Sequence, residues 1–163
     1  MKKLNLIPLF IFLIFAVSCN EDDTEDIITA LNKSAGLEMS ATLDGQDVTA
    51  TVITGKLENN TILIGGVFGG TFPSIVISIN KDAVPTTYTY PINPNDTTSA
   101  RVLYAVNDST SYILNKGLVI LSVHNMEDKI VEGTFQGKLY EVSIEPDADS
   151  VEVTNGKFKS SYN

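Results

Sequence analysis

The residues that could do chemistry are few in this chain of 163 residues, because it contains one cysteine, Cys19, and one histidine, His124. A zinc site is usually built from several imidazoles and thiolates, and His124 would have only carboxylates to complete one. A single cysteine cannot form a disulfide within the chain. We therefore predict a non-catalytic protein without a metal centre or cofactor, in which His124 caps or lines the end of a strand.

Acidic side chains offer a different chemistry, the oxygen ligation of a cation. The stretch EPDADSVE places Asp147 and Asp149 two residues apart, and such carboxylates could bind Ca²⁺. The EF-hand pattern is absent, since the stretch lacks the glycine of the sharp turn and a glutamate at the right distance. A solvated turn is the alternative interpretation of these two residues.

Tyrosines are the remaining side chains with a potential for recognition. Four of them flank the loop YPINPNDTT: Tyr88, Tyr90, Tyr104 and Tyr112. Tyrosine rings beside a polar loop can stack on a sugar or pack against a protein partner. They can equally fill the rim of a β-sandwich with no ligand. We treat these four as candidate ligand-facing aromatics, with an envelope protein or a glycan as the partner.

The elements that would position these residues are strands. From Leu37 onward apolar residues recur with a period of two, and the strong hairpin signal Asp44-Gly45 is followed by a return strand with Val48, Ala50 and Val52. The next turn is predicted at Glu58-Asn59-Asn60. Short strands between regular turn signals predict an all-β fold, a single antiparallel β-sandwich or flattened barrel of about eight to ten strands. Residues 118–121 are apolar on both faces, which predicts a strand buried on both sides. Glycines alternating around Phe135 predict close backbone approach or a sharp bend.

The amino-terminal residues have the pattern of a targeting segment. Met1-Lys2-Lys3 is positively charged, and Leu4 to Val17 is apolar. This stretch is shorter than the roughly twenty residues of a membrane-spanning helix and matches a signal-peptide core. We divide the chain into a signal peptide at 1–18, an acidic tether at 19–36 and a β domain at 37–163.

The residues around Cys19 resemble the lipobox of bacterial lipoproteins, because small Ala16 and Ser18 lead directly into the cysteine. The resemblance implies that the chain is cut before Cys19 and that this residue is acylated, so that the lipid bilayer is a partner. Five acids follow between Glu21 and Asp26. They resemble the surface-export signal of Bacteroidota lipoproteins, and a solvated stalk is the alternative. The expected location is the outer membrane, on the cell surface or otherwise facing the periplasm.

Three further segments carry a wider resemblance. MSATLDGQDVTA resembles the opening hairpin of a family of small Bacteroidota lipoproteins of uncharacterised function, IVEGTFQGKL resembles its Gly-Thr-Phe strand, and VEVTNGKF resembles its closing strand. The matching residues are Ala41, Asp44, Gly45, Ala50, Gly133, Thr134, Phe135, Thr154, Asn155, Gly156 and Phe158. All of these motifs concern sheets and turns, so the resemblance implies a fold and no catalytic residues.

Three loops place a hydroxyl residue directly after an aspartate, at Thr97, Ser109 and Ser150. They resemble acceptor sites for O-glycans in Bacteroidota envelope proteins. The alternative is that Asp, Ser and Thr are common in turns for conformational reasons.

The charge of the chain excludes some partners. Its formal net charge is −9, and loss of Lys2 and Lys3 with the signal peptide would leave nine basic residues against 20 acidic ones. Nucleic-acid binding requires a basic face, so no nucleic-acid partner is expected. We predict a membrane-anchored envelope lipoprotein that acts as a binding or structural interaction module. The alternatives are a lipocalin-like carrier of a small apolar ligand and, third, a hydrolase.

Overall fold

The computed structural model describes residues 31–32, 35–91, 100–142 and 149–163. These residues form ten strands, preceded by a helical turn at Leu31–Asn32. In chain order the strands are β1 (Glu38–Leu43), β2 (Gln46–Thr49), β3 (Val52–Glu58), β4 (Thr61–Val67), β5 (Ser74–Asn80), β6 (Thr87–Tyr90), β7 (Ala100–Ala105), β8 (Ser111–Asn125), β9 (Ile130–Glu141) and β10 (Ser150–Ser161). The predicted all-β class is confirmed.

All the described strands belong to one antiparallel sheet. Its order is β2-β1-β10-β9-β8-β7-β5-β4-β3, and β6 pairs with β8 beside β7. The strands at the two ends of this order, β2 and β3, are joined in the chain by only Ala50 and Thr51. The sheet must therefore curl until its ends meet, which gives a flattened, incompletely closed barrel.

A few contacts mark the seam of this barrel. The backbone N–H of Leu57 in β3 donates to the carbonyl of Asn163 at 3.2 Å, just beyond the end of β10. Directly paired residues on successive strands connect Ser150 of β10, through β9, β8, β7, β5 and β4, with Thr54 of β3. The next residue of β3, Gly55, lies against the backbone of Ser161, at the opposite end of β10. Such a stagger means that the strands are tilted steeply around the barrel.

The hairpin turns follow their local sequences. Asp44 and Gly45 have φ values of +47° and +81°, and Asn59 and Asn60 have φ values of +49° and +65°. Two successive positive φ values define the type I′ turn, whose twist matches that of the flanking strands. The β1–β2 and β3–β4 hairpins are therefore fixed by residues that tolerate this conformation.

The core lies on the concave face of the curled sheet and forms one cluster of alternating apolar side chains. Its largest members include Phe135 and Phe158, both 1% exposed, with ring centroids 6.5 Å apart. Glycine on a neighbouring strand makes room for each ring: a Cβ on Gly133 would lie 2.6 Å from Phe158, and one on Gly156 would lie 2.7 Å from Phe135. The close approach predicted for the glycines around Phe135 is confirmed at Gly133 and at Gly137, whose Cβ would lie 2.1 Å from the Lys116 oxygen.

Two details of the expected strands are wrong. Residues 118–121 lie in the long central strand β8, yet only one of their faces is buried, since Ile120 is 39% exposed and Leu118 is half-buried. The expected return strand from Val48 to Val52 is interrupted at Ala50 and Thr51. There the chain leaves β1, since the Ala50 N–H still donates to Met39 whereas the Thr51 N–H donates to Val67 in β4.

Candidate functional site

Three of the four candidate tyrosines belong to the buried core, and two of them, Tyr88 and Tyr90, lie on β6. Tyr88 and Tyr90 are each 8% exposed, and their hydroxyls donate to the carbonyls of Val84 and Ala100. Burial raises the pKa of Tyr90 well above its ordinary value, which the positive charge of Arg101 only partly offsets. These rings stabilise the fold around β6 and do not face a ligand from outside.

The other two tyrosines form a pair at one end of the barrel, which we call the rim. Here β7 and β9 end and β8 and β10 begin. The rings of Tyr104 and Tyr112 face each other with centroids 6.0 Å apart, and the Tyr112 hydroxyl donates to Asp149 Oδ2 at 3.4 Å. Tyr112 is 7% exposed, whereas Tyr104 is only partly buried. Tyr104 packs against the core and is the one candidate tyrosine that is only partly buried.

Desolvation raises the pKa of both tyrosines of this pair. The negative charge of Asp44 raises the pKa of Tyr104 further, and the charges of Asp149 and Glu141 raise that of Tyr112. Both phenols therefore stay neutral at physiological pH and can act as hydrogen-bond donors.

An open groove lies on the outer face of the sheet, where β10 begins and the β1–β2 turn packs against it. It has a volume of about 490 Å³ and is lined by Asp44, Lys116, Gly137, Lys138, Ser150 and Glu152, which together we call the rim groove. Gly137, which lines this groove, has a glycine as its partner on the neighbouring strand. Gly117 and Gly137 pair directly across β8 and β9, and a Cβ on either would lie 2.1 Å from a backbone oxygen of the opposite strand.

The rim groove has a basic wall. Lys116 and Lys138 are exposed and lie directly opposite each other on β8 and β9. The ion pairs found among the described residues involve other lysines, namely Lys56, Lys81 and Lys159. The Lys138 Nζ lies 5.7 Å from the centroid of the Tyr140 ring, a cation–π geometry. Among the described residues, neither Lys116 nor Lys138 has an ion-pair partner.

The opposite wall is acidic and rigid. Asp44 and Glu152 are tied together by two hydrogen bonds, one from the Asp44 N–H to the Glu152 carbonyl at 2.9 Å and one from the Glu152 N–H to Asp44 Oδ1 at 2.8 Å. The turn of the first hairpin is thereby fixed against β10. A ligand in the groove would meet carboxylate acceptors on this side and ammonium donors on the other.

His124 lies at the other end of β8. Its Nδ1 is 2.7 Å from the carbonyl oxygen of Ala83, and its Nε2 is 3.4 Å from the hydroxyl of Tyr162. A carbonyl oxygen only accepts, so Nδ1 carries the proton and Nε2 of the neutral ring is left to accept from Tyr162. The expected structural position of His124, at the end of its strand, is confirmed.

The remaining candidates are scattered. Ser109 is exposed in the β7–β8 loop, where its backbone N–H and its hydroxyl donate to Asn107 Oδ1. Ser150 opens β10, is half-buried and lines the rim groove. Asp149 accepts from the Ser150 N–H as well as from Tyr112. Three predictions, at Cys19, Thr97 and Asp147, fall outside the described residues.

Metal clusters, membrane-spanning helices and similarity to known proteins do little to narrow the function. Within the described ranges, no group of three or more His, Cys, Asp or Glu side chains could hold a metal ion. The same residues include no helix that is long and apolar enough to span a bilayer. No protein-family model, curated protein or solved structure matches the chain. The resemblance to small Bacteroidota lipoproteins accordingly stays a prediction.

The sequence did not point to Lys116, Lys138 or Tyr140 as site residues. Each is an ordinary polar position in an alternating strand, and their proximity depends on the pairing of β8 with β9. Asp44 and Ser150 were noted only as a turn residue and a glycan acceptor. Their common location at the rim groove arises from the packing of the first hairpin onto β10.

Proposed function

We propose that the protein is an outer-membrane lipoprotein that is anchored through acylated Cys19 and presents its β domain as a non-catalytic binding module, on the cell surface or towards the periplasm. The anchor rests on the position of the lone cysteine directly after a signal-peptide core. One acyl chain binds membranes only marginally, so stable attachment requires the several chains that a lipoprotein carries.

The observation that carries the binding role is the rim groove. Its charged residues lie on paired strands and on a hydrogen-bonded turn, so their backbone positions are fixed before a ligand arrives. Its volume of about 490 Å³ lies within the range of roughly 300–1,000 Å³ that is usual for small-molecule sites.

A carrier of a small apolar ligand is the second candidate. It is favoured by the order of β3, β4, β5, β7, β8, β9 and β10, which are successive neighbours as in up-and-down barrels such as lipocalins. Against it stands the contact of the Met39 side chain with Gly66 and of the two phenylalanine rings with Gly133 and Gly156. In these places the interior is filled by side chains. Saturable binding of a fluorescent fatty acid to the full chain would favour the carrier.

The anchor is tested by growing cells that express the full chain with radiolabelled palmitate. We expect label in the wild-type protein and none in the Cys19→Ala variant. An unlabelled wild-type protein, or equal labelling of the two, would contradict the anchor. Protease treatment of intact cells then distinguishes the two locations, since a surface-exposed domain is digested and a periplasmic one is protected.

A further inference from the structure

We propose that the rim groove binds a sugar that carries an acidic group, either a carboxylate or a phosphate. This inference rests on the proposed role as a binding module and names the ligand class of that site. The basic wall, the acidic wall and Gly137 of the groove each contribute one part of it.

The basic wall selects an anionic group. Lys116 and Lys138 occupy directly opposed positions on β8 and β9, where like charges destabilise a sheet. Glu152 is the cross-strand neighbour of Lys138 on the other side, yet the two form no ion pair. An anion bound between the two ammonium groups would relieve their repulsion and gain two charge-assisted hydrogen bonds. The face of the Tyr140 ring attracts the Lys138 ammonium group and so favours its position beside the groove.

The acidic wall selects hydroxyl groups. Asp44 uses Oδ1 to accept the Glu152 N–H, which leaves its other oxygen able to accept from a ligand, and the exposed Glu152 carboxylate lies beside it. The Ser150 hydroxyl also lines the groove and can donate or accept. A simple anion would be repelled from this wall, and a neutral sugar would leave both lysines unused. A sugar acid uses both walls at once.

The floor of the groove permits close approach. Gly137 lines the groove and brings no side chain to it, so a flat ring can lie near the backbone of β9. The groove is open, so an acidic sugar could enter as a free compound or as one residue of a longer glycan. Its volume of about 490 Å³ is sufficient for one or two sugar rings.

The test is a titration of the detergent-solubilised full chain, followed by amide chemical shifts in NMR spectra. The probes are glucuronate, glucose 6-phosphate, glucose and inorganic phosphate, with a glucuronate-containing oligosaccharide as a further arm. We expect the two sugar acids to shift the Gly117, Gly137 and Ser150 amides saturably. Glucose and phosphate should each bind more weakly by roughly tenfold or more, because each lacks one half of the interactions. The oligosaccharide, compared with free glucuronate, shows whether the source is a polymer or a free sugar.

The double variant Lys116→Gln/Lys138→Gln should weaken glucuronate binding by about tenfold or more, since it removes both cations. The matched control is Lys56→Gln/Lys81→Gln, which removes the same charge from exposed lysines elsewhere and should bind as the wild type does. All four side chains are solvent-exposed, and circular dichroism verifies that each variant is folded.

Three results would overturn the assignment. They are equal binding of glucose and glucuronate, phosphate binding as tight as that of either sugar acid, and an unchanged affinity in the Lys116/Lys138 double variant. Failure of palmitate labelling would remove only the anchor, because this titration does not depend on the lipid. The two proposals can therefore fail separately.

Discussion

Gly117 and Gly137 lie directly opposite each other on β8 and β9, and both have φ values in the range that favours glycine, +147° and +142°. Each Cα occupies the space that a Cβ on the other would need, at 2.7 Å and 2.6 Å. The pair therefore allows β8 and β9 to approach closely beside Lys116 and Lys138, at the rim groove.

Replacing Gly117 by alanine should destabilise the protein by more than the backbone conformation alone explains. The new Cβ would lie 2.1 Å from the Gln136 oxygen, and the strands would have to separate. Gly69→Ala is the matched control, because Gly69 has a φ of +134° but nothing within 4 Å of its Cβ position. In urea unfolding we expect Gly69→Ala to lower the free energy of unfolding by about 1–2 kcal/mol. Gly117→Ala should lower it by at least about 2 kcal/mol more. Equal costs would show that the close approach is not rigid.

Truncating a ring in the core tests whether the barrel interior is solid. Phe158 is 1% exposed and packs on Phe135 and Gly133, so Phe158→Ala should lower the free energy of unfolding by about 3–5 kcal/mol. Leu57→Ala, at a position that is 40% exposed, should cost less than about 1 kcal/mol. A cost below about 1 kcal/mol for Phe158→Ala would mean that its ring borders empty space.

Alkaline pH should destabilise the fold through Tyr90. Burial raises the pKa of this tyrosine above its value of about 10 in the unfolded chain, so the unfolded state loses its proton first. The stabilisation is complete below pH 10 and decreases as the pH rises above it. Unfolding measured between pH 8 and pH 11 should show this decrease, and Tyr90→Phe should make it shallower. Tyr140→Phe, on the outer face, serves as the control, and an unchanged slope in Tyr90→Phe would contradict the prediction.

The first hairpin should depend on the Asp44 carboxylate and its conformation. Asp44→Ala loses the bond to the Glu152 N–H and places alanine at a φ of +47°, so we expect a loss of about 1–3 kcal/mol. Asp44→Asn keeps an acceptor oxygen and tolerates this φ, and it should cost less than about 1 kcal/mol. Thermal unfolding compares the two variants. Equal losses would indicate that the charge, and not the hydrogen bond, stabilises the turn.

Much of the fold could be predicted because strands and tight turns depend on residues that are close together in the sequence. The period of two located the strands, and Asp44-Gly45 and Asn59-Asn60 located their turns. The same period of two also predicts which way Tyr88 and Tyr90 point. Both lie on one face of β6, with Thr87 and Thr89 on the exposed face, so the inward position of the tyrosines follows from alternation.

The rim groove could not be predicted, because it depends on irregular pairing. Asn125 pairs with Ile130 at the β8–β9 turn, and continuous pairing from there would oppose Lys116 to Leu139. A register shift between Leu121 and Val123 moves the partner by one residue, which brings the two lysines together. A bulge of this kind reflects the curvature of the whole sheet and leaves no local pattern in the sequence.

The anchor at Cys19 is the part of the account on which the cellular role depends, and the intact mass of the protein extracted from native membranes tests it most directly. We predict a mature chain that begins at Cys19 and carries a diacylglyceryl group and an amino-terminal acyl chain, with any further mass assignable to glycans at Thr97, Ser109 or Ser150. A mass that corresponds to a chain beginning at another residue, or to an unmodified Cys19, would contradict the account.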